Sequence, residues 1–156
     1  LKEIPIINSI TIALAWAVSL TFLPVALATH PVTPAVGIVF VYFFLRSLID
    51  VEIPNIRDIE SDEAAGVSTM PIVFGIERTK QTMIILDIVT AFVVVYAMID
   101  GIFTDPIGGA LVAGILFSVG ITTMIGRISE RSWLTVAPDM EYIISGGLLI
   151  VVTGVL

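Results

Sequence analysis

The sequence predicts an all-α fold, a polytopic transmembrane helical bundle with five spans, and three observations carry that prediction. Of 156 residues, 57% are hydrophobic and only 13% charged, whereas soluble domains carry about 25% charged residues; the mean hydropathy is +1.08. Five apolar segments recur near the length of about 20 residues that a helix needs to cross a hydrocarbon core about 30 Å thick. All seven Lys and Arg side chains fall on one side of the topology these segments define, the positive-inside pattern that assigns that side to the cytoplasm. The chain is therefore expected to be an integral protein of the cell membrane.

The first segment covers residues 6–29, and Pro31 and Pro34 punctuate the turn after it. The second covers residues 35–49 and reaches full length only if its helix continues toward Ile56. A third lies at residues 76–99 with a polar first turn, a fourth at 107–125, and a fifth begins near Tyr142 and is still apolar at Leu156. Lys2 precedes the first segment. Arg46, Arg57, Arg78 and Lys80 lie between or at the ends of the second and third, and Arg127 and Arg131 lie between the fourth and fifth. The opposite turns, residues 29–34 and 100–105, carry no basic residue. A signal peptide is not evident, because the first apolar stretch is too long and lacks a small-residue cleavage pattern. The chain opens on Leu1 rather than Met and closes inside an apolar run, so it is expected to be part of a longer protein. Without cysteine it has neither a disulfide framework nor a thiolate metal site. Its net charge of -7 argues against nucleic acid as a partner.

Residues 50–77 differ from every other connection. Asp50, Glu52, Asp58, Glu60, Asp62 and Glu63 crowd its first half, with Glu77 at its end, and positive-inside sorting does not account for acids. Asn55, Asp58 and Asp62 stand at i, i+3 and i+7, which places them on one face of a helix extending from the second segment. Carboxylates a turn apart make a hard-oxygen site suited to Mg2+, an ion that keeps several waters and commonly binds substrate phosphates through one or two carboxylates. Such a cation would bridge a diphosphate that the acids alone repel, while Arg57, Arg78 and Lys80 neutralise the remaining phosphate charge. The plain alternative is a solvated acidic loop at the membrane surface. The one-face spacing, the neighbouring basic residues and the ordered run Ala-Ala-Gly-Val-Ser-Thr-Met-Pro-Ile-Val-Phe-Gly at residues 64–75 weigh against it. In that run Gly66 and Gly75 are expected at turn or cap positions and Pro71 as a helix stop, giving a lid long enough to fold over a site.

The string Asn55-Ile-Arg-Asp58-Ile-Glu-Ser-Asp62, followed by Ala65-Gly66, Thr69, Pro71 and Gly75, resembles the second aspartate-rich motif of the UbiA superfamily of intramembrane prenyltransferases and the loop after it. Lys2-Glu-Ile-Pro5 with Asn8 and Trp16 is similar to the family's pattern before its fifth helix. The resemblance covers essentially the whole chain and is most specific over residues 46–75. It implies a nine-helix bundle in which residues 1–156 form the C-terminal half of a single prenyltransferase domain, helices five to nine, with residues 50–77 as cytoplasmic motif and lid. It also implies Mg2+-dependent transfer of an isoprenyl group from a prenyl diphosphate to a lipophilic acceptor, commonly an aromatic quinone precursor, within membrane lipid. Asp58 and Asp62 would be the metal and catalytic residues, Asn55 a further ligand, and Lys2, Asn8, Arg57, Arg78 and Lys80 substrate contacts. Many members carry Asp where Asn55 stands, and menaquinone-type members resemble this Asn form; exchanging Asn55→Asp is expected to preserve or raise metal affinity. The family's first aspartate motif, on an earlier helix, is absent here, so the chain without its N-terminal half is expected to hold half the metal site and be inactive.

Other residues keep two readings. Asp87, well inside the third segment, must face the bundle or a cavity, either as a substrate contact or in a hydrogen bond to a neighbouring helix. Arg46 and Asp50 stand at i, i+4 as a structural ion pair, or Arg46 also helps shape the site and Asp50 supports Asp58 from behind, and the kink at Pro54 would aim the acids inward. Asn8 could line a cavity mouth, whereas Trp16 reads as packing. Tyr42, Phe43 and Phe44 fit either a prenyl-tail lining or helix packing, and His30 lies in the far turn, away from the acids. The archaeal ether-lipid branch of the same family, which prenylates a glycerol phosphate, is the alternative acceptor class. Half of a secondary transporter, with the acids binding a cation at a helix break, is the alternative from another class.

Overall fold

A computed structural model describes residues 5–127 and 132–154 as helices joined by short connections. In chain order these are α1 (Pro5–Leu27), α2 (Pro34–Arg57), α3 (Ile59–Ala64), α4 (Met70–Phe74), α5 (Ile76–Ile99), α6 (Asp105–Met124), a short 3-10 helix (Ser132–Thr135) and α7 (Ala137–Thr153). Three of them, at Ile7–Leu27, Ile76–Ile99 and Asp105–Met124, are long and apolar enough to cross a membrane. The second expected segment does continue, ending at Arg57. At about 1.5 Å per residue its 24 residues extend about 36 Å, although its last third is charged. The expected fifth segment starts five residues early, at Ala137, because Pro138 and Asp139 supply a helix start: proline lacks only a donor that the first turn does not use, and the acid suits the positive helix end.

The chain divides into two compact units, Leu1–Leu86 and Asp87–Leu156. In the first, α1 and α2 pack as an antiparallel pair. Ser9 near the start of α1 reaches Glu52 near the end of α2, and Phe22 meets Phe40 at the other end, with ring centroids 5.5 Å apart. The buried face of α1 is Ser9, Ala13, Ala17 and Thr21, one small residue per turn, which lets two helix backbones approach where lipid offers no hydrophobic driving force. Against it α2 turns Tyr42, Arg46, Ile49, Ile53 and Ile56. Tyr42 is buried and edge-on to Phe43, and Phe44 stacks on Phe40. Trp16, read as packing, is instead 57% exposed, and Leu14, Leu23 and Leu27 on the same helix are exposed as well, an apolar surface suited to lipid.

In the second unit the later turns of α5 pair antiparallel with α6. Ser118 reaches Asp87, and Met98 lies against Gly108. The buried face of α6 runs Ala110, Gly114, Ser118, Thr122, again one small residue per turn, and α7 packs on it through Glu141 and Ser145.

Candidate functional site

The acidic motif straddles the end of α2. Pro54 sits inside that helix without a donor to continue its ladder, and Asp58 N closes the last bond, to Pro54 O, at 2.9 Å. Asp58 then leaves helical geometry (φ -98, ψ 13), and α3 restarts with Asp62 N bonded to Asp58 O at 2.9 Å. The one-turn spacing of Asn55, Asp58 and Asp62 thus survives the junction, with Asp58 at the bend.

Arg57 closes on its neighbour, donating from Nε to Asp58 Oδ1 at 2.7 Å and from Nη2 to Oδ2 at 2.5 Å. This fork-on-carboxylate contact holds the Asp58 carboxyl below its usual range, chiefly through the hydrogen bonds to Arg57. Both side chains stay about one-third exposed, at 30% and 38%, so either can exchange its partner for an incoming ion. Asp62 is half-buried.

Asn55 donates from Nδ2 to Glu52 Oε2 at 3.2 Å, and the other carboxylate oxygen of Glu52 accepts from the Ser9 hydroxyl at 2.6 Å. Glu52 is only 2% exposed. Sequence reasoning counted Glu52 among the acids without singling it out. The available signal was its position, three residues before Asn55 and flanked by Val51 and Ile53, where the span still runs apolar.

After α3 the chain turns at Gly66 (φ 68), passes through α4 and turns again at Gly75 (φ 84); both glycines occupy left-handed backbone that other residues rarely adopt. Pro71, expected to stop a helix, lies instead in the first turn of α4, where its fixed φ starts one. The segment packs down on its neighbours, since α4 contacts α1, α2 and α3, and Pro71 and Thr69 are buried. The Thr69 hydroxyl is enclosed and has no hydrogen-bond partner among the described residues.

The other expected residues are spread more widely. Lys80 Nζ lies 3.4 Å from Glu77 Oε1 in the first turn of α5. Arg78 is exposed and makes no ion pair among the described residues. Asn8 is exposed on α1, and Lys2 lies outside the described residues. Arg46 is fully buried. Asp87 belongs to the second unit; it is fully buried and accepts a hydrogen bond from Ser118 Oγ of α6 at 3.3 Å, the second of its two readings.

The donors at the junction are two carboxylates one turn apart and the oxygen of the Asn55 amide. Such a set fits Mg2+, which takes one or two carboxylates and completes its shell with water and phosphate oxygens. Among the described residues no three acidic or imidazole side chains converge into a protein-only cage, which that ion does not need.

The profile of the UbiA prenyltransferase family matches residues 1–136. No curated protein and no solved structure matches the chain.

Proposed function

Because the chain belongs to the UbiA prenyltransferase family, whose activity is prenyl transfer in membranes, we propose that residues 50–77 bind the headgroup of an isoprenyl diphosphate. The isoprenyl group then passes to a lipophilic acceptor, an aromatic quinone precursor. The observation that carries this reading is the α2–α3 junction, where Asp58 and Asp62 stand one turn apart with the Arg57 fork beside them.

Asp58 and Asp62 would hold Mg2+, with the Asn55 oxygen as a further donor. When bound, Mg2+ offsets charge on the leaving diphosphate. Arg57 exchanges the Asp58 carboxylate for a phosphate edge, since its planar fork matches both. Arg78 and Lys80, at the start of α5 just after the lid, add positive charge on the same leaving group. The allylic C–O bond breaks with its electron pair retained by the diphosphate. An acceptor ring carbon forms the new C–C bond, and the ring proton is lost. Apolar helix faces exclude water that would otherwise capture the cationic carbon. The folded lid, with Pro71 of α4 buried, supports the same exclusion at the headgroup. On this reading the acidic junction lies on the cytoplasmic side and forms half of the metal site, so the protein encoded by the complete gene is the active species.

Asp58→Ala and Asp62→Ala, each in that complete protein, should abolish magnesium-dependent transfer of a radiolabelled prenyl chain while the variants still insert into membranes. Retained turnover in both would remove these residues from the site.

A further inference from the structure

We propose that Glu52 is a positioning residue that sets which end of the Asn55 amide faces the ligand. An amide can offer a donor or an acceptor, and only its oxygen can serve a cation. Glu52 resolves that choice. Its Oε2 accepts from Asn55 Nδ2 at 3.2 Å, which commits the amide nitrogen to the protein and leaves the oxygen as the free end. Among the described residues the Asn55 oxygen accepts no hydrogen bond. Glu52 is itself fixed, because Ser9 of α1 donates to Oε1 at 2.6 Å and the side chain is 2% exposed. Asn55 stands one turn before Asp58, so the oriented oxygen extends the row of oxygen donors by one turn. A carboxylate behind a ligand residue is the arrangement by which proteins orient the groups that touch metals.

The same geometry reverses the sequence-based expectation for Asn55→Asp. An Asp at 55 would bring a second carboxylate within about 3.2 Å of Glu52, and like charges at that separation in a buried setting repel strongly. Removing the charge behind it should relieve the conflict. In Glu52→Gln the side-chain oxygen can still accept from Asn55, while the new NH2 faces Ser9, whose hydroxyl accepts as well as donates.

The inference rests on the function proposed above, and its test separates the two. The complete protein in detergent is titrated with Mn2+ in the presence of inorganic pyrophosphate, reading free Mn2+ by electron paramagnetic resonance, with thermal unfolding of each variant as a fold check. Asp58→Ala should abolish binding; if it does not, the site reading itself fails. Given that loss, Glu52→Leu should weaken binding by roughly 10- to 100-fold, the range typical for groups behind a metal ligand, and Glu52→Gln should remain close to wild type. Asn55→Asp should weaken binding alone and recover in the Asn55→Asp/Glu52→Gln pair. If Glu52→Leu unfolds, the paired exchange still decides, because it keeps both side chains polar and similar in size. Equal effects of Asn55→Asp in the two backgrounds, or undiminished binding in a folded Glu52→Leu, would overturn the positioning role and leave the Asp58 assignment standing.

Discussion

Glu52, Asp87 and Glu141 are acids of the packed interior, and the first two accept a hydrogen bond across a helix contact from a partner of the mildest kind, a serine hydroxyl. Ser118 reaches Asp87 from α6, and Ser9 reaches Glu52 from α1. A serine is small enough to sit in a close helix contact and still donate a hydrogen bond. Removing the Ser118 hydroxyl withdraws a donor from a fully buried carboxylate, and leaving such an acceptor short costs about 1–3 kcal/mol. Ser118→Ala should therefore lower the thermal midpoint in detergent, and Ser118→Thr should restore it; an unchanged midpoint in Ser118→Ala would mean that the 3.3 Å contact contributes nothing. Sequence alone required that Asp87 face inward. It could not say that the partner would be Ser118, because a pairing across 31 residues depends on how two helices are set against each other.

At the scale of elements, the small-residue faces of α1 and α6 govern packing. Gly114 is a tight point against α7: a Cβ there would collide with the Ser145 hydroxyl and stand 3.5 Å from the Glu141 side chain. Gly114→Leu should force α6 and α7 apart, at a cost of about 1–3 kcal/mol or more for overpacking, whereas Gly109→Leu, with open space around it, should be tolerated. Comparing detergent stability of the two variants checks the α6–α7 contact; equal loss would count against it. The helix starts explain where the expected segments shifted. Proline in the first turn opens α2, α4, α6 and α7. Reading Pro71 and Pro138 as initiators would have found both α4 and the early start of α7.

At the scale of the molecule, the charge distribution supports one orientation. The proposed orientation puts the site on the cytoplasmic side, the side expected for turns that carry Lys and Arg. The chain has no cysteine, so single introduced thiols report topology without a background. Ser61→Cys, exposed in α3, should react with a membrane-impermeant maleimide only from the cytoplasmic face. Val32→Cys, 68% exposed between α1 and α2, should react only from the opposite one. Labelling of both from the same face would overturn the orientation.

The amino-acid sequence by itself determined the class of fold, the positions of the long helices and the location of the acidic motif. These follow from local quantities: how many apolar residues run together, where prolines and glycines interrupt them, and where charge is excluded. The bounds of α5, residues 76–99, were legible to the residue because a polar turn and a glycine frame an apolar run interrupted only by Asp87 and Thr90. Only the tertiary structure decided which polar groups answer one another. Ser9 with Glu52, Ser118 with Asp87, and Gly114 with Ser145 are contacts across helices, set by register and rotation that no stretch of the chain encodes alone. The burial of Glu52 and the packing of α4 on its neighbours emerged there for the same reason.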